Sequence, residues 1–271
     1  MNGVSVYTEG DALYAAMLHD IAAARRSIRM ESYIFATDEA GLPFVDALAE
    51  RARAGVEVDL RIDAAGSLGL FDGDAEARLR AAGVRLTRSH RWSWQRPFTV
   101  QRRNHRKLLV VDDTIAYIGG FNIHAESSRL AYGPARWRDT HARIQGAAAH
   151  GAARAFDDYG ARRVHRGRAV DDVYFLPNRG IKGRWILHRL LQMRFGLARR
   201  RIWVTTPYFV PDQPTQRALS RAARRGVDVR QGRPAEAARL QGGRQAREPG
   251  DEQPAFVLER QPVREGRDDE H

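Results

Sequence analysis

The sequence predicts an α/β fold in which helices flank a mixed sheet, built as two similar halves of which the second is incomplete. Three observations predict it. Amphipathic helical segments alternate with β-rich apolar runs along much of the chain. The order helix, strand, helix, strand occurs twice, which is typical of sheets with a parallel component. Apolar residues make up 43% of the chain, enough for a sizeable core.

The first predicted helix recurs later in the chain. In residues 11–30, DALYAAMLHDIAAARRSIRM, apolar side chains are spaced by three and four, and residues 184–204, RWILHRLLQMRFGLARRRIWV, repeat the pattern 174 positions later. This spacing is that of an amphipathic helix. The β-rich runs IRMESYIF and IWVTTPYFV end the two copies and predict a strand after each helix.

A second helix and strand follow in each half. Residues 44–63 and 215–230 share a pattern offset by 171 positions, which includes Gly55 and Gly226. Glycine at this place ends a helix, and the alternating VEVDLRI predicts the next strand. The match ends after Arg230, and the Gln-, Gly-, Pro-, Arg- and Glu-rich sequence beyond it predicts a disordered or frameshifted tail.

These changes of pattern divide the chain into three expected parts. Residues 1–165 form a first repeat, residues 166–230 begin a second repeat, and residues 231–271 are the tail. The tail carries a net charge of −2, so residues 1–230 carry +14.

A β-hairpin is predicted around the turn sequence DDT, between the apolar runs 108–111 and 115–118. His105 and Lys107 are two positions apart, so they face the same side of a strand. A two-residue turn after Asp112 would place three pairs opposite one another: Asp112 and Ile115, His105 and Asn122, Lys107 and Gly120.

The residues at the open end of this hairpin are suited to phosphoryl transfer. Histidine nitrogen can attack phosphorus at neutral pH, the Lys107 ammonium neutralises phosphate oxygens, and the Asn122 amide can donate to the same oxygens. Gly119 and Gly120 are expected to leave empty volume, so that a bulky anion can approach the backbone. Asp112, at the turn, is expected to hold local structure through bonds to the backbone.

The distribution of charge points to an anionic partner. The net charge is +12, and residues 77–111 hold nine arginines and Lys107 without an acidic residue, with Trp92, Trp94 and Phe98 among them. Such a stretch suits a polyanion or an anionic lipid surface; a solvated loop in an arginine-rich chain is the structural alternative. The absence of cysteine excludes a disulfide scaffold, a thiolate metal site and a cysteine nucleophile.

The motif His105-x-Lys107-x4-Asp112, followed by Gly119-Gly120-x-Asn122, resembles that of the phospholipase D superfamily. The stretches ESYIFATDEAG, RNHRKLLVVDD, YIGGFNI, WRDTHARIQG and TTPYFVPD are similar to bacterial cardiolipin synthases, nearest the type without membrane-spanning segments. The resemblance implies a phospholipase D-like fold whose two halves each donate one such motif to a single active site. It also implies phosphatidyl transfer between phospholipids through a phosphohistidine, with no metal and no cofactor.

The resemblance also implies roles for individual residues. The catalytic residues that it implies are His105, Lys107 and Asp112, with His105 as nucleophile or partner acid/base and Asp112 as a supporting acid. The phosphate-binding residues that it implies are Lys107, Asn122, Gly119 and Gly120. Asp139 and Glu31 are interpreted as structural, with a supporting role at the site as the alternative.

The chain departs from the family pattern because no second His-x-Lys occurs in its sequence. General acid catalysis contributes about 10²–10⁴-fold, so one half-site alone is expected to be a poor or inactive transferase. A reading frame lost near Arg230 is one explanation. The alternatives are a single-motif phosphodiesterase or nuclease that acts as a homodimer, and a non-catalytic fragment that binds anionic lipid.

The expected partners follow from these readings. They are anionic phospholipid substrates and a membrane surface, with nucleic acid as the weaker alternative and a homodimer as a further arrangement. No run of 18 apolar residues and no signal-peptide pattern occurs in the sequence. The expectation is a peripheral protein at the cytoplasmic face of the cell membrane, without a transmembrane segment.

Overall fold

A seven-stranded mixed sheet is the centre of the first repeat. The computed structural model describes residues 3–89, 104–160, 175, 180–205 and 210–232. The strands of this sheet are β1 (Val4–Tyr7), β2 (Ser27–Ser32), β3 (Glu57–Asp63), β4 (Arg85–Ser89), β5 (Leu108–Val111), β6 (Ile115–Gly119) and β7 (His141–Gln145). The accompanying helices are α1 (Gly10–Ala22), α2 (Leu42–Arg53), α3 (Gly73–Ala81), α4 (Arg129–Tyr132) and α5 (Ala149–Gly160).

The strand order places several strand ends together. The order is β1-β7-β6-β5-β2-β3-β4. Strands β2, β3 and β4 are parallel, with α2 and α3 as the connections that parallel strands require, and the other pairs are antiparallel. Because β5 is antiparallel to both β2 and β6, its first residue lies where β2, β3 and β6 end. The predicted mixed sheet flanked by helices is confirmed.

Helices cover both faces of the sheet. On one face α1, α2 and α3 pack against apolar side chains of β2, β3 and β5, among them Leu109. On the other face α5 packs its alanines and Phe156 against β5 and β6, with Leu108 and Val110 in the contact. Alternation along β5 sends neighbouring side chains into these two separate cores.

The second repeat begins with the same order of elements. Helix α6 (Gly180–Leu197), strand β8 (Arg201–Thr205), helix α7 (Gln213–Arg224) and strand β9 (Asp228–Gly232) follow one another, and β8 pairs with β9 in parallel. Gly55 follows α2 with φ 87° and Gly226 follows α7 with φ 85°, so both glycines end a helix in the left-handed conformation, as the repeat predicts.

Some of the expectations lie beyond the described residues. The aromatic side chains Trp92, Trp94 and Phe98 of the arginine-rich stretch lie outside them, and so does the predicted tail beyond Gly232. Strand β9 extends two residues into the segment expected to be tail. The division of the chain at residues 165 and 230 stays a prediction.

The predicted hairpin is present, but its predicted register is wrong by one residue. Val111 is opposite Ile115 and Leu108 is opposite Ile118, whereas the prediction placed Asp112 opposite Ile115. Asp112 leaves the strand, with φ 50°, because its carboxylate binds backbone N–H groups of residues 25–27. His105 and Lys107 lie before β5 and have no partners in the β6 ladder.

Candidate active site

Polar side chains from five segments meet at the end of the sheet where β5 and β7 begin. His105 and Lys107 lead into β5, and Tyr33 follows β2. Asn122 follows β6, and Asp139 precedes β7. Strand β3 ends at the same edge with Asp63. The sheet order therefore brings together side chains that are far apart in the sequence.

Tyr33 contacts both charged groups of the motif. Its ring stacks on the His105 imidazole, with ring centroids 3.8 Å apart and planes 21° apart. The Lys107 Nζ lies 5.4 Å from the centre of the same ring and donates a hydrogen bond to the His105 carbonyl oxygen at 3.3 Å. Lys107 is only 6% exposed, whereas His105 is half-buried. The aromatic ring holds the imidazole and the ammonium side by side.

Asp63 fixes the start of the motif to the end of β3. Its carboxylate accepts a hydrogen bond from the backbone N–H of Asn104 at 3.0 Å, and it also accepts from Ala65 and Gly66. A side chain at Gly66 would overlap Tyr33, so this glycine leaves room for the tyrosine ring. Asp63 is 1% exposed. These bonds hold the backbone immediately before His105.

Arg106 points away from its two neighbours and anchors them from the other face of the sheet. Its guanidinium pairs with Glu31 at 3.1 Å and lies 4.8 Å from the Tyr159 ring centroid. Arg61 pairs with the second oxygen of Glu31 at 3.3 Å. Burial raises the pKa of Glu31, while the two guanidinium groups oppose that rise. Glu31 therefore pairs with two arginines, Arg61 and Arg106, as expected if its role is structural.

Asn122 is buried and oriented by backbone groups. Its side-chain oxygen accepts a hydrogen bond from the Ile34 N–H at 3.1 Å, and its backbone oxygen accepts one from the Tyr14 hydroxyl at 2.6 Å. The side-chain amide nitrogen is then the donor that Asn122 could offer to an anion. Tyr14, on α1, positions the loop that follows β6.

The empty volume expected beside Gly119 and Gly120 is absent. A β-carbon at Gly120 would overlap the Asp139 carboxylate, and one at Gly119 would overlap Thr140 and His141. The two glycines therefore admit the start of β7, and this packing gives a physical reason for them that does not involve an anion. Their assignment to phosphate binding stays a prediction.

The Lys107 ammonium shifts the pKa of two neighbouring buried groups, Asp139 and His141. Burial raises the pKa of the Asp139 carboxyl, while the Thr140 N–H, the Trp137 side chain and the Lys107 charge oppose the rise. Burial and the same ammonium lower the pKa of His141 to about 3. Within the described part of the chain, neither ring nitrogen of His141 has a hydrogen-bond partner. His141 is therefore a neutral imidazole at neutral pH.

Asp112 lies away from these groups, at the opposite end of β5. Its carboxylate accepts the backbone N–H groups of Arg25, Arg26 and Ser27 at 2.9, 2.7 and 2.9 Å. Burial raises the pKa of Asp112, but these backbone bonds outweigh it and lower the pKa. Five residues of extended chain, about 16 Å, separate it from Lys107. The structure does not bring Asp112 to His105. The contacts of Asp112 with the backbone of residues 25–27 are structural.

One part of the chain matches a known protein family. Residues 17–133 match the family described as "Cardiolipin synthase, PLD-like domain", and this range contains His105, Lys107 and Asn122. The chain therefore contains a phospholipase D-like domain of the kind found in cardiolipin synthases. The sequence resemblance to bacterial cardiolipin synthases is thereby confirmed.

Two curated relatives extend this match beyond the domain. The cardiolipin synthase of Clostridium perfringens strain SM101 is 32% identical over 254 residues, which cover 84% of this chain and 52% of the relative. Cardiolipin synthase 1 of Staphylococcus epidermidis is 32% identical over 256 residues, which cover 84% of this chain and 49% of the relative. The chain spans about half the length of the curated relatives it matches.

A solved structure supports the phospholipase D-like fold. The phosphatidylserine synthase of Haemophilus influenzae matches with a TM-score of 0.58 and 16% identity, over 85% of this chain and 61% of that chain. At this identity the likeness concerns the fold alone. Among the described helices, none combines the length and the apolar character needed to cross a bilayer.

Proposed function

We propose that this phospholipase D-like chain provides a half-site for phosphatidyl transfer between phospholipids, with His105 as the nucleophile. The observation that carries the proposal is the juxtaposition of the His105 ring and the Lys107 ammonium on Tyr33. The family match and the cardiolipin synthase relatives support a phospholipid as the substrate class.

In the proposed reaction a ring nitrogen of His105 attacks the phosphorus of a donor phospholipid. A phosphorus–nitrogen bond forms as the phosphorus–oxygen bond to the donor headgroup breaks. The departing headgroup oxygen takes a proton from an acid/base group, and a hydroxyl group of a second lipid then displaces His105 while its own proton returns to that group. Lys107 and the Asn122 amide stabilise the negative charge on the phosphate oxygens. No metal or cofactor enters these steps.

The proton for the departing headgroup requires a second acid/base group. Phospholipase D-type sites combine two half-sites, and this sequence holds one His-x-Lys. We assign the second group to another half-site, either from a second copy of this chain or from sequence beyond residues 1–271. The slow step of the isolated chain is then protonation of the departing oxygen, and removing general acid help costs about 10²–10⁴-fold.

The test is to trap the phosphohistidine. The chain is incubated at stoichiometric concentration with phosphatidylglycerol labelled at phosphorus, and the protein is quenched in base, in which a phosphorus–nitrogen bond of this kind survives. We expect label on the wild-type chain and none on the His105→Ala variant. The His150→Ala variant is the matched control, because His150 is exposed on α5, and it should label as the wild type does.

Two outcomes would refute the assignment. Equal label on the His105→Ala variant would place the nucleophile elsewhere. Absence of label on the wild type, at concentrations that saturate the vesicle surface and after incubation long enough to offset a slowing of about 10²–10⁴-fold, would exclude His105 as the nucleophile.

A further inference from the structure

The outward face of α6 differs from the matching face of α1. Three apolar side chains on α6 are exposed: Ile186 at 41%, Met193 at 49% and Leu197 at 64%. Their counterparts 174 positions earlier are small or polar and are also exposed: Ala12, His19 and Ala23. These positions therefore face solvent in the first repeat, whose seven-stranded sheet is described. Completing the second sheet does not explain apolar residues at the same positions of α6.

The three residues form one stripe along the helix. Their spacings of seven and four place them on a single face. Phe195, two positions from Met193, points the other way and packs against the core of β8, α7 and β9. The apolar stripe is thus separate from the face that α6 uses for folding. We refer to Ile186, Met193 and Leu197 as the outer stripe.

Positive charge surrounds the outer stripe. Residues 180–204 contain seven basic residues and no acidic residue. Arg189 and Arg194 are exposed on α6 itself. Trp185 is 60% exposed, with the Arg189 guanidinium 5.3 Å from its ring centroid.

We propose that the outer stripe and its arginines dock this chain on an anionic phospholipid surface, with α6 lying in the plane of the headgroups. Apolar side chains on one face, tryptophan beside them and arginine around them are the features of helices that bind in this way. The anionic surface attracts the cations, and the outer stripe inserts among the acyl chains.

The composition favours lipid over two other occupants. A nucleic acid backbone would satisfy the arginines but would leave the outer stripe in water. A second copy of the same face would cover the outer stripe but would bring two strongly basic surfaces together, which like-charge repulsion opposes. An anionic bilayer satisfies both the charge and the apolar side chains.

The test is binding of the full chain to vesicles. Vesicles of phosphatidylcholine alone are compared with vesicles of an equal mixture of phosphatidylcholine and phosphatidylglycerol, by co-sedimentation. We expect binding to the anionic vesicles only, and weaker binding as salt is added. Replacing the outer stripe by alanine (Ile186→Ala, Met193→Ala, Leu197→Ala) should weaken binding by roughly tenfold or more, because apolar burial is lost.

A matched control separates the stripe from general surface hydrophobicity. Val4, Val6 and Leu42, which lie in the first repeat, are exposed to a similar extent, at 43%, 51% and 38%. Their joint replacement by alanine should leave vesicle binding unchanged. A charge variant, Arg189→Gln with Arg194→Gln, should weaken binding by roughly thirtyfold at low salt, about fivefold for each charge. Alanine is a strong helix former, so the stripe variant should keep α6.

Each remaining outcome decides the proposal. Unchanged binding of the stripe variant, with loss of binding in the charge variant and equal competition by duplex DNA, would overturn it in favour of nucleic acid. Concentration-dependent dimers that the stripe variant abolishes, in the absence of vesicle binding, would overturn it in favour of a second copy. The His105→Ala variant should bind vesicles as the wild type does, so a failure of docking is distinguishable from a failure of catalysis.

Discussion

Replacing His141 should remove a large part of the acid sensitivity of the fold. Its ring is 2% exposed, and burial with the nearby Lys107 charge lowers its pKa from 6.5 to about 3. The unfolded chain therefore binds a proton at this residue, between those two values, that the folded chain does not bind. Stability contributed by the neutral ring is complete above pH 6.5 and is lost as the pH falls toward 3.

The magnitude follows from the two pKa values. At pH 4.5 the unfolded imidazole is about 99% protonated and the folded imidazole is almost wholly neutral, which corresponds to a loss of about 3 kcal/mol relative to pH 8. The His141→Phe variant removes the titrating group and keeps an aromatic ring beside Phe121, whose ring centroid lies 6.4 Å away. His141→Leu is the smaller substitute if the ring does not fit.

The assay is urea unfolding of each variant at both pH values. The wild type should lose about 3 kcal/mol more than the His141→Phe variant between pH 8 and pH 4.5. The exposed His19 provides a control, because the His19→Gln variant should show the wild-type difference. Equal pH dependence in the wild type and in both His141 variants would refute the reasoning, because it would show that this ring is protonated in the folded chain.

Three other substitutions test the contacts around the motif. Gly120→Ala should lower the free energy of unfolding by about 1–3 kcal/mol through overlap with Asp139, and adding Asp139→Ala should restore part of that loss in urea unfolding. Asp112→Ala should lower the free energy of unfolding by about 1–3 kcal/mol because three backbone N–H groups lose their acceptor. The trapping assay should still detect phosphohistidine on this variant. Loss of the label in a folded variant would contradict the structural role of Asp112. Tyr33→Leu should reduce phosphohistidine yield more than Tyr33→Phe does, because only the leucine removes the ring that stacks on His105; equal yields would contradict it.

The sequence was sufficient for features that depend on local periodicity. Apolar spacing located α1 and α6, and the repeated glycines Gly55 and Gly226 marked the ends of α2 and α7. The spacing of two between His105 and Lys107 predicted that they share a side, and both lie against the Tyr33 ring. Each of these features is set by residues fewer than about ten positions apart, so pattern alone specifies them.

The errors came from contacts between distant segments. Asp112 leaves the hairpin register because its carboxylate accepts a hydrogen bond from the Ser27 N–H, 85 positions away. The turn preferences of residues 111–115 carry no information about that bond. The space beside Gly120 is filled by Asp139, which arrives with β7. Two site residues without a role in the sequence prediction, Tyr33 and Asp63, come to His105 through the sheet order. Their positions in the sequence could have indicated this, since both residues lie at the carboxyl end of a predicted parallel strand.

The geometry gives a physical reason for a lysine at position 107 in a chain with 43 arginines and two lysines. The side chain is 6% exposed, so its head must fit into a buried space beside the Tyr33 ring. Its charge acts on Asp139 and on the neutral ring of His141. An arginine at this position would bring five N–H donors in a planar group. Each of them would need an acceptor in a buried space that lies beside the neutral ring of His141. A compact ammonium places one charge beside His105 with fewer donors to satisfy.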